Sequence, residues 1–287
     1  MRDGAMGGSP FESPDTQGFV TGLFLEPNGA THQVMLKAAA RAGAEERALM
    51  CRLALALPLL SQGVPFVHAG DDLLRSKSLD RDSYNSGDHF NRIDWTGQCN
   101  NFGVDWSGER EAETRAGAGN AGLPPASKNQ HAWPLKRPLL AAVAAYKPPP
   151  AVIAAAAAYV RALLRVRYSS PLFRMPRASD IKQQVVFENT GPDQIPGVIC
   201  MRLISARSPD HGTYDPELAS VVVVINARPA AARLPFPAGV RGLELHPVLA
   251  ELAGEDDALA GCQADVVRGV VDVPGRVAAV FVERRRA

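Results

Sequence analysis

The stretch Gly63-Val64-Pro65-Phe66-Val67-His68-Ala69-Gly70 constrains this chain more than any other. A short apolar run bracketed by glycines and entered directly from a helix has the pattern of a strand buried on both faces. The preceding helix starts at Ala44. Glu45 and Glu46 lie in its first turn, where carboxylates complement the macrodipole. Leu49, Leu53, Leu57 and Leu60 recur at helical spacing and predict one buried face, with Pro58 kinking or ending the helix. Polar residues crowd in straight after the apolar run: Asp71, Asp72, Arg75, Lys77, Asp80, Arg81 and Asp82. In a β/α barrel, chemistry sits at that end of a strand.

Beyond this point the chain divides by character. Residues 1–29 read as loop, and 30–43 are alanine-rich. Residues 71–147 show little regular period. Within them, 71–104 carry dense polar and aromatic side chains that predict an ordered loop, and 105–121 reads as a flexible insertion. A second helix follows Pro148-Pro149-Pro150 and runs to about Tyr168, where Ser170-Pro171 stops it. From there, Val- and Ile-rich runs around 182–187, 198–204, 219–225, 242–249, 264–273 and 277–282 alternate with turn signals such as Asn189-Thr190-Gly191-Pro192. Repeated short strands punctuated in this way predict an antiparallel β-sandwich, with the domain boundary near residue 168.

Composition excludes several classes. A formal net charge of +1 gives no electrostatic case for nucleic acid or an anionic membrane surface. The basic run Arg284-Arg285-Arg286 reads as a solvated tail. The aliphatic run Leu53–Leu60 is too short to span a bilayer, and Met1-Arg2-Asp3-Gly4 is not followed by the apolar region of a signal peptide. Cys51, Cys99, Cys200 and Cys262 lie far apart, which argues against a zinc site or a dense disulfide framework. No phosphate loop, metal-ligand cluster or nucleophile elbow occurs, so no cofactor or metal is expected.

The residues from Gln62 through Asp88, continuing in Phe90-Asn91-Arg92-Ile93-Asp94-Trp95, closely resemble pullulanases and plant limit dextrinases. The likeness returns in Gly122-Leu123-Pro124-Pro125, in Tyr168-Ser169-Ser170-Pro171-Leu172-Phe173-Arg174 and in Phe187-Glu188-Asn189-Thr190-Gly191-Pro192. Met1 to Phe24 is similar to the family segment beyond the sixth barrel strand. The resemblance covers most of this chain but only about the last third of a typical member. It implies α/β plus all-β architecture: residues 1–167 as the C-terminal end of a (β/α)8 barrel, with Gly63–His68 as its eighth strand, and 168–287 as a C-terminal β-sandwich. It also implies hydrolysis of α-1,6 branch points in pullulan, starch or limit dextrins, with an α-glucan as partner. Asp88 and Arg92 stand where the family contacts sugar, and His68 at the strand end is a third candidate contact. Family members of plants and algae work in plastids, and bacterial ones are cytoplasmic or exported, which leaves this chain's compartment open.

Two departures carry weight. His89 stands where the family usually has Trp, removing a stacking platform, and residues 105–121 interrupt a segment that is normally continuous. Retaining glycoside hydrolysis needs two carboxyl groups about 5 Å apart. By the resemblance, the nucleophile Asp and acid Glu follow the fourth and fifth strands, which would lie before Met1. The His-Asp-Asn motif of the seventh strand should appear shortly before Glu45 and occurs nowhere in the chain. Asp71 and Asp72 are adjacent on one turn and do not replace that pair. The expectation is therefore a debranching-enzyme fragment with no catalytic residues of its own. The alternatives are a non-catalytic glucan-binding or regulatory protein, and an unstable relic. One barrel strand cannot close a barrel, so Val64, Phe66 and Val67 are expected to lack neighbours, with 168–287 as the ordered unit and 1–147 mostly irregular.

Overall fold

The computed structural model describes residues 42–80, 83, 86, 88–103, 126–130, 133–208 and 212–285. These form two compact units. Among the described residues, one comprises 56–65 with 158–285, and the other 42–55 with 66–157. The expected loop at 1–29, the alanine-rich 30–41 and the insertion at 105–121 lie outside the described residues.

In chain order the helices are α1 (Ala44–Leu60), α2 (Asp88–Asn91), α3 (Ala126–Asn129), α4 (Trp133–Ala141), α5 (Val143–Tyr146) and α6 (Pro150–Ser169). Then come α7 (Ala178–Gln184), α8 (Pro247–Ala253) and α9 (Asp257–Ala260). The start of α1 and both ends of α6 agree with the sequence reading, and Pro58 falls in the last turn of α1. The expected single buried face of α1 is corrected. Leu49 and Leu57 are only half-buried, while Ala48, Cys51, Leu55, Ala56 and Leu59 are fully enclosed. The helix is buried nearly all round, which is why leucine spacing alone misjudged it.

Among the described residues ten strands, all paired antiparallel, lie in the second half: β1 (Val185–Phe187), β2 (Val198–Ile204), β3 (Arg207–Ser208), β4 (Gly212–Thr213), β5 (Leu218–Asn226), β6 (Ala232–Pro235), β7 (Glu244–Leu245), β8 (Gln263–Asp265), β9 (Val270–Val273) and β10 (Val277–Arg284). They form a five-stranded sheet ordered β1-β2-β5-β10-β7, a three-stranded sheet β6-β9-β8 and the β3-β4 pair. The centre is β5 against β10, with Val223 opposite Val280 and Val222 opposite Phe281. Val221 to Val224 and Ala278 to Phe281 are fully buried, so these strands read as continuous aliphatic runs rather than alternating ones. Tyr159 of α6 donates its hydroxyl to the Ala278 carbonyl at 2.7 Å.

Two expected strands are part helix. Residues 182–184 complete α7 before β1 begins. The 242–249 run gives only the two-residue β7, because His246 caps α8 through Nδ1, accepting from Val248 N at 3.3 Å, and Pro247 occupies the first helical position. The 264–273 run is a β8-β9 hairpin. β6 had no signal in the sequence reading.

The Gly63–His68 run corrects the reading of a strand buried on both faces and agrees with the expectation that Val64, Phe66 and Val67 lack strand neighbours. It pairs with no strand among the described residues, and Val64, Phe66 and Val67 are 64%, 49% and 37% exposed. Apolar composition makes a strand only where another strand supplies its hydrogen bonds. The turn entering this run is nonetheless held. Arg167, 3% exposed, donates to the carbonyls of Leu59 (2.9 Å), Ser61 (2.6 Å) and Gly63. Gln62 bonds Leu172 O at 2.7 Å and accepts from Met175 N at 3.1 Å.

Val143–Ser169 is long and apolar enough by composition to cross a membrane. Its Ile153, Tyr159, Leu163 and Val166 are buried within their units and Arg167 is bonded to backbone, the signature of a core helix. The cysteines are free thiols, with Cys51, Cys200 and Cys262 buried and Cys99 partly so.

Candidate functional site

The candidate residues gather on the loop between Phe66 and Gly103. This loop has little regular structure, so side chains supply what a ladder would otherwise provide. Gly70, at φ 92°, opens a 3-10 turn at Asp71–Leu73, and Leu73 N and Arg75 N both return to its carbonyl at 3.0 Å. Ser76 N donates to Asn100 O at 2.7 Å, and Asn100 Nδ2 donates to Leu74 O at 3.0 Å. Gly103 N donates to Ser78 Oγ at 3.2 Å. Leu74, Leu79 and Phe102 anchor the loop in a core with Ala48, Cys51, Leu140, Ile153 and Ala156. A second tie runs through buried polar groups: Lys136 Nζ to Asn129 Oδ1 (2.5 Å), Asn129 Nδ2 to Asp80 Oδ1 (3.0 Å), and Ser86 Oγ to Asp80 Oδ2.

His68 is half-buried at one end of this loop. Its Nδ1 lies 3.4 Å from Arg75 Nη1 and 4.0 Å from Asp71 Oδ1. Burial, then the charges of Arg75 and Lys77, hold its imidazole below the ordinary range, so the ring is neutral at pH 7. Arg75 is itself buried, and its Nη2 donates to Asn91 O at 2.5 Å, joining the His68 turn to α2.

Asp88 opens α2 and Arg92 follows directly after its last residue, with Arg92 N donating to Asp88 O at 2.8 Å. Both side chains are exposed, and no ion pair joins them among the described residues. Arg92 instead gives Nε to Asn101 Oδ1 at 3.1 Å, while Asn101 Nδ2 returns to Arg92 O at 2.6 Å. This reciprocal pair fixes the guanidinium stem and leaves the Nη groups without a hydrogen-bond partner among the described residues. Asn91 is tied on the other side, exchanging bonds with Ser83 Oγ (2.8 Å) and Ser83 O (2.7 Å). The side chain of His89 lies outside the described residues.

An exposed carboxylate beside an exposed guanidinium, with a neutral ring in the same loop, suits hydroxyl-rich neutral ligands. Among the described residues no second carboxylate is poised against Asp88. Asp71 is buried beside Cys51, whose thiol is pushed up by burial first and then by that charge. No cluster of metal-ligating side chains occurs among the described residues. A cavity of about 530 Å3 on the β-rich unit is lined by Arg241, Glu244, Glu283 and Arg284, but its carboxylates are engaged. Glu244 accepts from Arg284 at 2.7 Å, and Glu283 from Ser220 at 2.8 Å.

Sequence reasoning singled out His68, Asp88 and Arg92. It assigned no role to Arg75, Asn91, Asn100 or Asn101, which place them. The available signal was a run of amide and guanidinium side chains in a loop with no period, where only side chains can satisfy backbone groups.

A family profile described as alpha-1,6-glucosidases, pullulanase-type, C-terminal, matches residues 118–284, more than half the chain. This chain belongs to the pullulanase-type α-1,6-glucosidases. Pullulanase 1, chloroplastic, of Arabidopsis thaliana is 36% identical over 99% of the chain and 35% of its own length. Among solved structures, PulA of Klebsiella oxytoca superposes with a TM-score of 0.70 at 29% identity, covering 86% of this chain and 21% of that one. Klebsiella pneumoniae pullulanase complexed with maltotriose gives 0.69 at 29% identity, with the same coverage. The chain therefore spans between about a fifth and a third of these pullulanases. The α/β organisation with antiparallel sheets matches their corresponding region.

Proposed function

We propose that this chain is the C-terminal part of an α-1,6-glucan debranching hydrolase, holding glucan through His68, Asp88 and Arg92 and lacking the carboxylates that cut. On this reading, residues 1–167 are the end of the (β/α)8 barrel, with Gly63–His68 in the sequence position of its eighth strand but not forming one, and 168–287 are the C-terminal β-sandwich. The observation that carries it is the loop from Phe66 to Gly103. Its buried Arg75, Asn100 and Asn101 hold two exposed, oppositely charged groups, Asp88 at the start of α2 and Arg92 directly after it. Such a loop recognises sugar hydroxyls with acceptor and donor side by side.

Absence of cleavage follows from the chemistry. Acetal hydrolysis with retention requires a carboxylate nucleophile and a second, protonated carboxyl about 5 Å away. Asp88 has no such partner among the described residues, and Asp71 is withdrawn into the interior. The match to the Arabidopsis relative runs over 362 aligned positions against 287 residues here, so that relative carries stretches inside the matched region that this chain does not.

The test is direct. Purified chain at micromolar concentration, incubated with pullulan, is expected to release no reducing ends above a buffer blank. Titration with maltotriose in a calorimeter is expected to show binding that Arg92→Ala removes. Release of maltotriose from pullulan would end the non-catalytic part of the proposal, and no heat at millimolar maltotriose would end the binding part.

A further inference from the structure

We propose that Arg75 locks the His68 ring in its Nε2–H tautomer, making His68 a fixed hydrogen-bond donor to a glucan hydroxyl. The choice of glucan as acceptor rests on the function proposed above, whereas the tautomer rests on geometry alone. A guanidinium has donors and no acceptor. With Arg75 Nη1 at 3.4 Å, His68 Nδ1 must offer its lone pair, and the ring proton is left on Nε2. The competing influence is Asp71, whose Oδ1 would draw a proton onto the same Nδ1. At 4.0 Å it lies outside hydrogen-bonding distance.

Arg75 is held independently of the histidine. Its Nη2 donates to Asn91 O at 2.5 Å and Nη1 also reaches Ala69 O at 3.4 Å. The stem packs over Gly70, where a Cβ would lie 2.9 Å from Arg75 Cδ and the φ of +92° already favours glycine. The guanidinium thus occupies a groove built for it. His68 keeps 31% of its side chain exposed, and Nε2 has no hydrogen-bond partner among the described residues. A neutral ring with a defined, unused donor contributes direction to recognition: it gives a proton to a sugar oxygen and cannot take one through Nε2. On the same loop as the acceptor Asp88 and the donor Arg92, this sets the polarity of one further hydroxyl contact.

The experiment uses the full chain labelled with 15N-histidine, read by long-range 1H–15N correlation at pH 7. His68→Gln identifies the His68 ring among the six histidines. The expected spectrum shows unprotonated Nδ1 and protonated Nε2. A neutral ring protonated on Nδ1, or a doubly protonated ring, would overturn the tautomer whatever glucan does. Arg75→Lys keeps a charge but loses the planar fork, and is expected to release a mixture of tautomers. A lysine variant that folds with the tautomer unchanged would remove Arg75 from the account, and if the variant does not fold the wild-type spectrum still decides. Maltotriose is expected to shift Nε2 more than Nδ1. The expected tautomer with no response to maltotriose would sink the sugar contact and leave the lock standing. His68→Asn, whose amide stands in for Nδ1, is expected to weaken maltotriose more than His68→Gln, whose amide reaches the Nε2 position.

Discussion

The β-rich unit and the Phe66–Gly103 loop solve the same problem, satisfying buried backbone, in opposite ways. In the first, β2, β5 and β10 trade main-chain hydrogen bonds in register, and side chains are free to be aliphatic. In the second, the backbone has no ladder, so Arg75, Ser76, Ser78, Asn100 and Asn101 are drawn inside to pair with it. The sheet tolerates exchange of one apolar residue for another of similar volume. The loop depends on named atoms at named distances, and that specificity fixes where the candidate residues stand.

Three perturbations separate the two solutions. The largest effect is expected from Phe281→Ala, which empties a fully buried position at the centre of β10. A loss of about 3–5 kcal/mol is expected in urea unfolding, spread over the whole sheet. A loss below about 1 kcal/mol would show that the sheet does not depend on this packing.

The second lies at the cap of α8. Burial, followed by the Arg284 and Arg165 charges against a smaller opposing effect of Glu244, pushes the His246 imidazole down to about 4. The ring accepts from Val248 N through Nδ1 and lies 3.0 Å from Ser169 Oγ through Nε2. The unfolded ring takes its proton near pH 6.5 and the folded ring only near 4, so stability is full above about 6.5 and falls as pH drops toward 4. The total is roughly 3 kcal/mol. His246→Asn keeps an acceptor for the cap and cannot titrate, so thermal unfolding measured from pH 7 to 4 should lose much of its slope. An identical slope in the variant would assign the acid sensitivity elsewhere.

The smallest effect is expected from Asn100→Ala, which strips the Leu74 carbonyl and the Phe102 amide of their partners. About 1–3 kcal/mol is expected, confined to the loop. Hydrogen exchange should quicken between Leu74 and Phe102 and stay unchanged in β5 and β10. Equal loosening of both regions would show that loop and sheet are not held independently.

The same contrast explains what could be read beforehand. The Val and Ile runs of β5 and β10 and the Pro-Ser punctuation of α6 are local signals, and they placed those elements. His246-Pro247 is a local signal too, but an apolar stretch around it masked the helix start. Gly63–His68 has the composition of a buried strand, and composition does not reveal whether partners exist. For the site, Asp88, Arg92 and His68 were reached through resemblance. Arg75 and Asn101 were not, because nothing periodic marks which loop side chain turns inward. Their roles depend on contacts with Asn91 and Arg92, sixteen and nine positions away along the chain.

Arg167 reaches the carbonyls of Leu59, Ser61 and Gly63 across sequence separations of 108, 106 and 104. During synthesis those carbonyls leave the ribosome long before the guanidinium that receives them. The turn carrying Gly63 into its exposed apolar run must wait without its clasp while about a hundred residues are added. Contacts so distant in sequence close slowly. The nascent chain thus passes through an interval in which Val64, Phe66 and Val67 are displayed on an untethered segment, the form that chaperones bind.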